Sequence, residues 1–345
     1  MTLPASLPVP RTPDPAAAPP LTWGVLAPGG IAATFVESAQ RFTRQEFVAV
    51  GSRSTERAEA FAARYAIPAA HGSYEAMLAD DAVQAVYVAS PHSEHHVQTL
   101  LAIEAGKHVL VEKAFTRNAA EARELVAAAG AAGVTLMEAM WTRFMPRADV
   151  VRQLLAEGAL GELEVVFADH GQPLTHVPRL VDPALAGGAL LDLGIYPLSY
   201  AVFVLGLPGR VQAIGDLTDA GVDRQAAIVL DGFADHPHAR AVLHTTLAAR
   251  TPTTASINGS LARIELDADF YNPGTVRLVD ATGEVAWPGD GQVGHQAMCH
   301  EAAHFAQLVA DGQSESPLLP LAETVAILEV MDEIRAQVGV RYPGE

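Results

Sequence analysis

Positive charge is scarce in this chain of 345 residues, and lysine is scarcer still: among 22 basic residues, Lys107 and Lys113 are the two lysines. Against 40 acidic residues this leaves a formal charge of −18 with no basic tract to offset it, which argues against nucleic acid or an anionic membrane as partner. Cysteine occurs once, at Cys299, so an internal disulfide framework is excluded and a reducing compartment, the cytoplasm, is expected. No run of eighteen residues is free of charged or strongly polar side chains, so no membrane span is expected. The first twenty residues, rich in Pro and Ala, lack the basic start and apolar run of a signal peptide and read as a disordered tail.

What is present is a chain half hydrophobic and long enough for two domains. From residue 21 onward, short β-branched runs (TWGVLA, EFVAVG, QAVYVAS, KHVLVE, VTLME) alternate with helix-length segments at 31–40, 55–65, 94–105 and 119–132. That alternation predicts a doubly wound α/β domain with a parallel sheet over 21–147. Beyond a helix at 150–157 the pattern changes to closely spaced strand segments (GELEVVFADHG, RVQAIGDLTD, QAAIVLDGF, ARAVLHTTL, TASINGS, ARIELDA), so 148–345 is expected to be an α+β domain built on an open-faced, mostly antiparallel sheet. One helix, 188–205, interrupts it, and helices at 296–310 and 320–337 close the chain. An open sheet with an apolar outer face would be covered by a second copy, so a homodimer is expected.

The first strand runs into Ala27, Pro28, Gly29, Gly30, Ile31 and Ala32 and then directly into a helix. A dinucleotide loop needs backbone that can approach a pyrophosphate, and a helix N-terminus facing the negative charge. Gly29 and Ala32 supply the later glycine-like positions, and Ala27 stands where the first glycine is usual. After the second strand no acidic residue is placed for ribose hydroxyls; Ser52, Arg53 and Arg57 stand there instead and suit a 2′-phosphate. NADP is therefore expected, with NAD as the alternative.

In a chain that otherwise uses arginine, Lys113 invites a chemical role, because an ammonium can exchange a proton at working pH and a guanidinium cannot. Asp192 and Tyr196 are four apart on the 188–205 helix, so their side chains project from one face. Two rival motifs compete. His300, Glu301 and His304 spell HExxH on a helix, the pattern of a zinc hydrolase. His92, His95 and His96 form a second cluster that a metal would suit.

Five segments in order, WGVLAPGGIA, SPHSEHH, GKHVLVEKAF, EAMWTRFMP and GGALLDLGIYPL, resemble the Gfo/Idh/MocA oxidoreductases over 23–339. The MWTRF and DLGIY segments are most similar to the branch holding the dimeric dihydrodiol dehydrogenases and NADP-dependent sugar dehydrogenases. The resemblance implies a Rossmann domain, an open-faced sheet domain, and a substrate site over the nicotinamide. It implies that Lys113 and Glu112 match the family's Glu-Lys-Pro motif, with Lys113 relaying protons. Ala114 replaces the proline, and the unusual backbone geometry at that proline is expected to be lost, because a cis bond before another residue is costly. Ser90, Pro91 and His95 would line the nicotinamide ribose, Trp141 would wall the substrate site, and Arg143 would stand near the cofactor. Lys113 and Tyr196 would share a substrate hydroxyl while Asp192 anchors a second one. The expected activity is hydride transfer between NADP and a secondary alcohol or hemiacetal carbon of a sugar, cyclic polyol or dihydrodiol, with a non-catalytic nucleotide sensor of the same fold as the alternative.

Overall fold

The computed structural model describes residues 3–267 and 269–345. They form two compact units, each discontinuous in sequence: a parallel-sheet unit of Pro13–Phe144 and Gly294–Val325, and a mixed-sheet unit of the described residues within 3–12, 145–293 and 326–345.

In the parallel-sheet unit, β1 (Thr22–Leu26), β2 (Glu46–Gly51), β3 (Ala69–His71), β4 (Ala85–Val88), β5 (His108–Glu112) and β6 (Leu136–Ala139) lie in the order β3-β2-β1-β4-β5-β6, every pair parallel. This is the doubly wound order, in which ligands bind beyond the carboxyl ends of the strands where the order reverses. Its helices are α1 (Gly30–Phe42), α2 (Thr55–Tyr65), α3 (Tyr74–Leu78), α4 (His92–Glu104) and α5 (Ala119–Ala132). Local chemistry sets their ends: Ser54 caps α2 by accepting from the Arg57 amide, Asn118 caps α5 by accepting from Glu121, and Gly133 ends α5 in the left-handed conformation. Both β3 and α3 are too short for periodicity to mark them, and neither was expected. Trp23 is fully buried between Phe35 and Phe47, and its indole donates to Gln45 Oε1 at 3.0 Å. Lys107 has a structural use: its ammonium donates to the carbonyls of Asp80 and Val83.

The mixed-sheet unit opens with α6 (Pro146–Ala156), which begins at a proline, as first turns allow. Its strands are β7 (Leu163–Gly171), β8 (Arg210–Leu217), β9 (Asp223–Asp231), β10 (Arg240–Thr246), β11 (Ala255–Gly259), β12 (Arg263–Leu266), β13 (Val276–Asp280) and β14 (Gly283–Trp287). They run in the order β14-β13-β12-β11-β7-β10-β9-β8, antiparallel except for β7 beside β10. The hairpin β13–β14 was not expected, although Asp280 accepts from Thr282 and Gly283 in a turn of ordinary chemistry. One face is covered by α7 (Ile195–Leu205), which packs on β7 and β10. On the other face Phe167, Val242 and Val229 pair in register across three strands and are 48%, 40% and 37% exposed. By length and hydropathy Pro183–Leu205 could span a membrane, but 89% of that window is buried, as suits a core helix.

Chain order and packing part company near the C-terminus. The helix α8 (Met298–Ala310) packs on α1 of the parallel-sheet unit and sets Phe305 against Trp23, and α9 (Leu321–Val338) starts in that unit and ends in the other. The N-terminal residues expected to be disordered are held by specific contacts. Leu7 is buried, Arg11 pairs with Asp149, Val9 accepts from Gln153, and Arg44 donates to the carbonyls of Ala17 and Ala18. Proline removes the amides of regular structure, so no periodicity shows, yet the exposed carbonyls remain available to side-chain donors.

The helical run bearing Asp192 and Tyr196 starts against β9: Asp223 Oδ2 accepts from the Leu190 amide at 2.5 Å, and Asp223 is buried. Gly188 just before it has φ +126°, and a Cβ there would collide with Asp223 Oδ1. We expect Gly188→Ala to destabilise the protein by roughly 2 kcal/mol or more, from strained backbone and overpacking together. Urea unfolding should show it as a lowered midpoint, and an unchanged midpoint would contradict the close fit.

Candidate active site

The nucleotide loop leaves β1 at Ala27, whose φ is +64° and whose amide donates to the Gly51 carbonyl. An alanine in this left-handed region costs about 1–2 kcal/mol relative to right-handed backbone, so the glycine-like conformation is kept without the glycine. Gly29 is extended and caps α1, which starts at Gly30 and Ile31. A Cβ at Gly29 would meet nothing nearer than 3.9 Å and one at Gly30 nothing within 4 Å, so the space before the helix N-terminus is open to a phosphate. At the end of β4, Ser90 Oγ is buried with no hydrogen-bond partner among the described residues, which suits a ribose hydroxyl. Pro91 is the cap of α4. After β2, Ser52 is buried while Arg53 and Arg57 are exposed, and neither arginine pairs with a carboxylate among the described residues. These residues fit a nicotinamide dinucleotide.

Lys113 follows β5 directly, at the carboxyl edge of the parallel sheet. Its amide donates to Glu112 Oε2 at 3.1 Å, and the other oxygen of that buried carboxylate accepts from the Tyr87 hydroxyl. The Lys113–Ala114 peptide is cis, so the expectation that replacing the proline abolishes this geometry is corrected. His95 is fully buried, with Nδ1 2.9 Å from the Ala114 carbonyl and Nε2 2.9 Å from the Ser90 carbonyl. It joins the loops after β4 and β5 and turns no ring nitrogen to solvent. Burial, opposed by these carbonyls and assisted by the Lys113 charge, holds its pKa below the usual imidazole range. His96 pairs with Glu124, which leaves the histidine cluster without a shared focus.

Sequence reasoning missed Glu138, on β6. It is buried, accepts from the Phe115 amide at 3.1 Å and from Thr324 Oγ1 at 3.2 Å, and burial pushes its carboxyl up to about 7. A glutamate inside the buried run VTLME was the available signal. Trp141 is buried and stacks on His295, ring centroids 5.3 Å apart, and burial together with the Lys113 charge lowers the His295 pKa. Arg143 is buried and ion-paired with Glu323 at 2.5 Å.

The HExxH reading fails on burial. Glu301 is 0% exposed and neither of its oxygens has a hydrogen-bond partner among the described residues; burial first, then the Glu112 charge, raise its pKa well above the carboxylate range. A carboxyl enclosed in the core, 0% exposed, is not placed to activate a metal-bound water. His304 is committed to Ser316 Oγ at 2.8 Å and stacks on Phe144.

In the mixed-sheet unit, Asp192 lies in a π-helical turn, Leu190–Gly194, that continues into α7, and Tyr196 follows in the first turn of α7. Both are buried. Asp192 Oδ1 accepts from both terminal nitrogens of Arg179 at 3.3 Å. Tyr196 stands edge-on to His170 at 5.3 Å and tilted to Tyr271 at 5.0 Å, while Tyr271 stacks on His170 at 4.5 Å. Gln172 Nε2 reaches both His170 Nε2 and the Tyr271 hydroxyl. Arg147, buried, donates to the carbonyls of Phe270, Asn272 and Thr275 and so pins the loop that carries Tyr271; burial lowers its pKa to about 10. The result is a cluster of flat rings with polar edges beside a paired carboxylate, suited to a hydroxylated ring. Lys113 belongs to one unit, and Asp192 and Tyr196 belong to the other.

Residues 21–140 match the family model described as an oxidoreductase family with an NAD-binding Rossmann fold, and residues 149–265 match the GFO/IDH/MocA C-terminal domain. The chain belongs to the Gfo/Idh/MocA oxidoreductase family. It is an enzyme, an oxidoreductase with an NAD(P)-binding Rossmann unit. It is 36% identical over 334 residues to trans-1,2-dihydrobenzene-1,2-diol dehydrogenase from Homo sapiens, covering 94% of this chain and 98% of that one. The enzyme of the same name from Macaca fascicularis is 37% identical over the same shares. Among solved structures, KijD10, a 3-ketoreductase from Actinomadura kijaniata in complex with NADP and TDP-benzene, matches with TM-score 0.82 and 26% identity over 93% of this chain and 98% of that one. An aldose-aldose oxidoreductase from Caulobacter crescentus shares the fold, with TM-score 0.83 and 24% identity over the same shares.

The raised Glu138 carboxyl makes a stability prediction. A carboxyl whose folded value, about 7, exceeds its unfolded one favours the folded state when protonated, so that contribution is full below about 4.5 and is lost as pH rises through 7. The loss is on the order of 3 kcal/mol. Between pH 5 and 8, Glu138→Gln should therefore gain stability relative to the parent protein in urea titrations, and a difference independent of pH would contradict the assignment.

Proposed function

We propose that this enzyme is an NADP-dependent dehydrogenase or reductase that moves a hydride between the coenzyme and a secondary alcohol or hemiacetal carbon of a sugar, cyclic polyol or dihydrodiol. The observation that carries the reading is Lys113 at the carboxyl end of β5, the edge at which an open parallel sheet takes its ligand, with its backbone fixed by Glu112. Ala27, Gly29, Gly30 and Ile31 receive the pyrophosphate at the start of α1. Ser90 accepts the nicotinamide ribose, and Arg53 and Arg57, exposed and without carboxylate partners among the described residues, attract the 2′-phosphate that distinguishes NADP. The bound coenzyme supplies the hydride acceptor or donor.

The chain's own groups manage the proton and the orientation. In oxidation, the substrate hydroxyl gives its proton to Tyr196 or Lys113 as its carbon loses hydride, and a carbonyl forms; reduction reverses each transfer. Asp192, held by Arg179, accepts a hydrogen bond from a second hydroxyl, and Tyr271 beside Tyr196 offers a flat face to the substrate ring. Glu112 and Arg143 hold this edge of the Rossmann unit in place. The relatives named as dihydrodiol dehydrogenases and the 3-ketoreductase bound to NADP support the substrate class and the coenzyme.

A spectrophotometric screen of sugars, inositols and dihydrodiols with both coenzymes tests the reading. With the best substrate, Lys113→Arg should keep the fold and lower kcat by roughly 100-fold or more, because a guanidinium holds charge but does not exchange the proton. Turnover at the parental rate in that variant would refute the role.

The same reading includes a homodimer formed through the strip of Phe167, Val242 and Val229, with Ile214 on the neighbouring edge strand 77% exposed. Phe167→Glu should convert a dimer into a folded monomer by light scattering. A parent protein that is already monomeric at micromolar concentration would end this part of the reading.

A further inference from the structure

Thr253, in the connection between β10 and β11, holds a backbone conformation that its side chain resists. Among the described residues, Ala27, Ala66, Ala186 and Thr253 have left-handed backbone without being glycine, and Thr253, at φ +54°, is the one with a branched Cβ. A β-branched residue rarely adopts this region, and it stays there when its surroundings hold it. Here a carboxylate does so. Asp169, near the end of β7, accepts from the Thr253 amide at 2.9 Å through Oδ2 and from the Thr254 amide at 3.1 Å through Oδ1, and its own amide donates to the Thr254 carbonyl at 3.2 Å.

The held conformation decides where the Thr253 carbonyl points. That carbonyl accepts from the Phe270 amide at 2.8 Å, and Arg147 donates to the Phe270 carbonyl at 3.1 Å, so both backbone groups of Phe270 are fixed. Tyr271 comes next in the chain, its ring stacked on His170 and tilted to Tyr196. A right-handed or extended Thr253 would turn its carbonyl away from Phe270, because rotation about its two backbone bonds swings the rigid peptide plane that follows. Thr253 is buried, so neither group would find water in exchange. Asp169 and His170 are successive on β7 and leave opposite faces of the sheet. One strand end therefore supplies both the ring on which Tyr271 stacks and the anchor of the loop that delivers Tyr271.

We propose that Asp169 is a positioning residue for substrate recognition: it holds Thr253 in the left-handed conformation, and the Thr253 carbonyl in turn sets Tyr271 against His170 and Tyr196. This rests on the reading above in which Tyr271 faces the substrate ring, and it goes beyond that reading in tracing the placement of the ring to a carboxylate that touches no ring of the cluster. Every residue of this chain of contacts belongs to the mixed-sheet unit, and the nucleotide loop belongs to the other. Loss of the carboxylate thus acts on substrate affinity and spares the coenzyme.

Steady-state kinetics of the full chain test the assignment, with the sugar, inositol or dihydrodiol that turns over fastest in the screen above. Asp169→Asn should raise KM for that substrate by roughly fivefold, as a displaced aromatic contact does, and leave kcat and the coenzyme Kd within about twofold. Tyr271→Ala should raise KM as well, and adding Asp169→Asn to it should change KM little further, since the two act through one contact. Additive effects, or equal losses in KM, kcat and coenzyme binding, would overturn the proposal. Thr253→Gly placed on Asp169→Asn should lower KM again, because glycine takes the left-handed conformation without strain, and no recovery would count against it. Should Asp169→Asn alone not fold, the double variant is compared with Thr253→Gly, and equal KM values would sink the idea. Tyr271→Ala separates this inference from its foundation. If that variant raises KM while Asp169→Asn does not, the positioning role alone fails; if Tyr271→Ala leaves KM unchanged, the ring-facing reading fails and takes this inference with it.

Discussion

Three consecutive residues after β5 each have a backbone group held by a buried polar side chain, and the proposed chemistry depends on that grip. The Lys113 amide is bound by Glu112, the Ala114 carbonyl by His95, and the Phe115 amide by Glu138. These partners come from β5, α4 and β6, so the segment that carries Lys113 is fixed from three directions. Burying two carboxyls and an imidazole carries a desolvation cost that hydrogen bonds must offset. That cost appears as the raised carboxyl of Glu138 and the lowered pKa of His95.

The mixed-sheet unit solves a similar problem with different parts. Tyr196 and Asp192 sit on a helical run whose start is bound by a carboxylate from β9 and whose first turn is a π-turn. Such turns often mark functional stretches, because a wider turn re-aims the side chains that follow. The facing loop is held by Arg147, which satisfies three carbonyls that have no ladder to join. A cation is a suitable plug for such a loop, since one planar group carries five donors.

Much of this was legible in the amino-acid order, and the misses have physical reasons. The helices α2 and α5 carried capping residues, Ser54 and Asn118, and their ends could be read from them, whereas β3 and α3 offered too few residues for any period to appear. Lys113 stood out by scarcity. Gln172 and Tyr271 could not be paired from sequence because 99 positions separate them and neither lies in a motif. His170 looked like any residue at a strand end until its rings were placed. The HExxH segment shows the opposite failure: spelling and helical register were right, and the interior position of Glu301 decided against the chemistry that the spelling suggested. Pattern reads which residues share a face; it does not read what that face meets.

The shortage of lysine bears on how this enzyme can be handled. Lys107 spends its ammonium on two carbonyls, and Lys113 is the group proposed to take part in turnover. Crosslinkers and resins that couple through primary amines thus find few side-chain attachment points on this protein, and one of them is the proposed reactive group. Immobilisation through carboxylates, which are abundant, spares it.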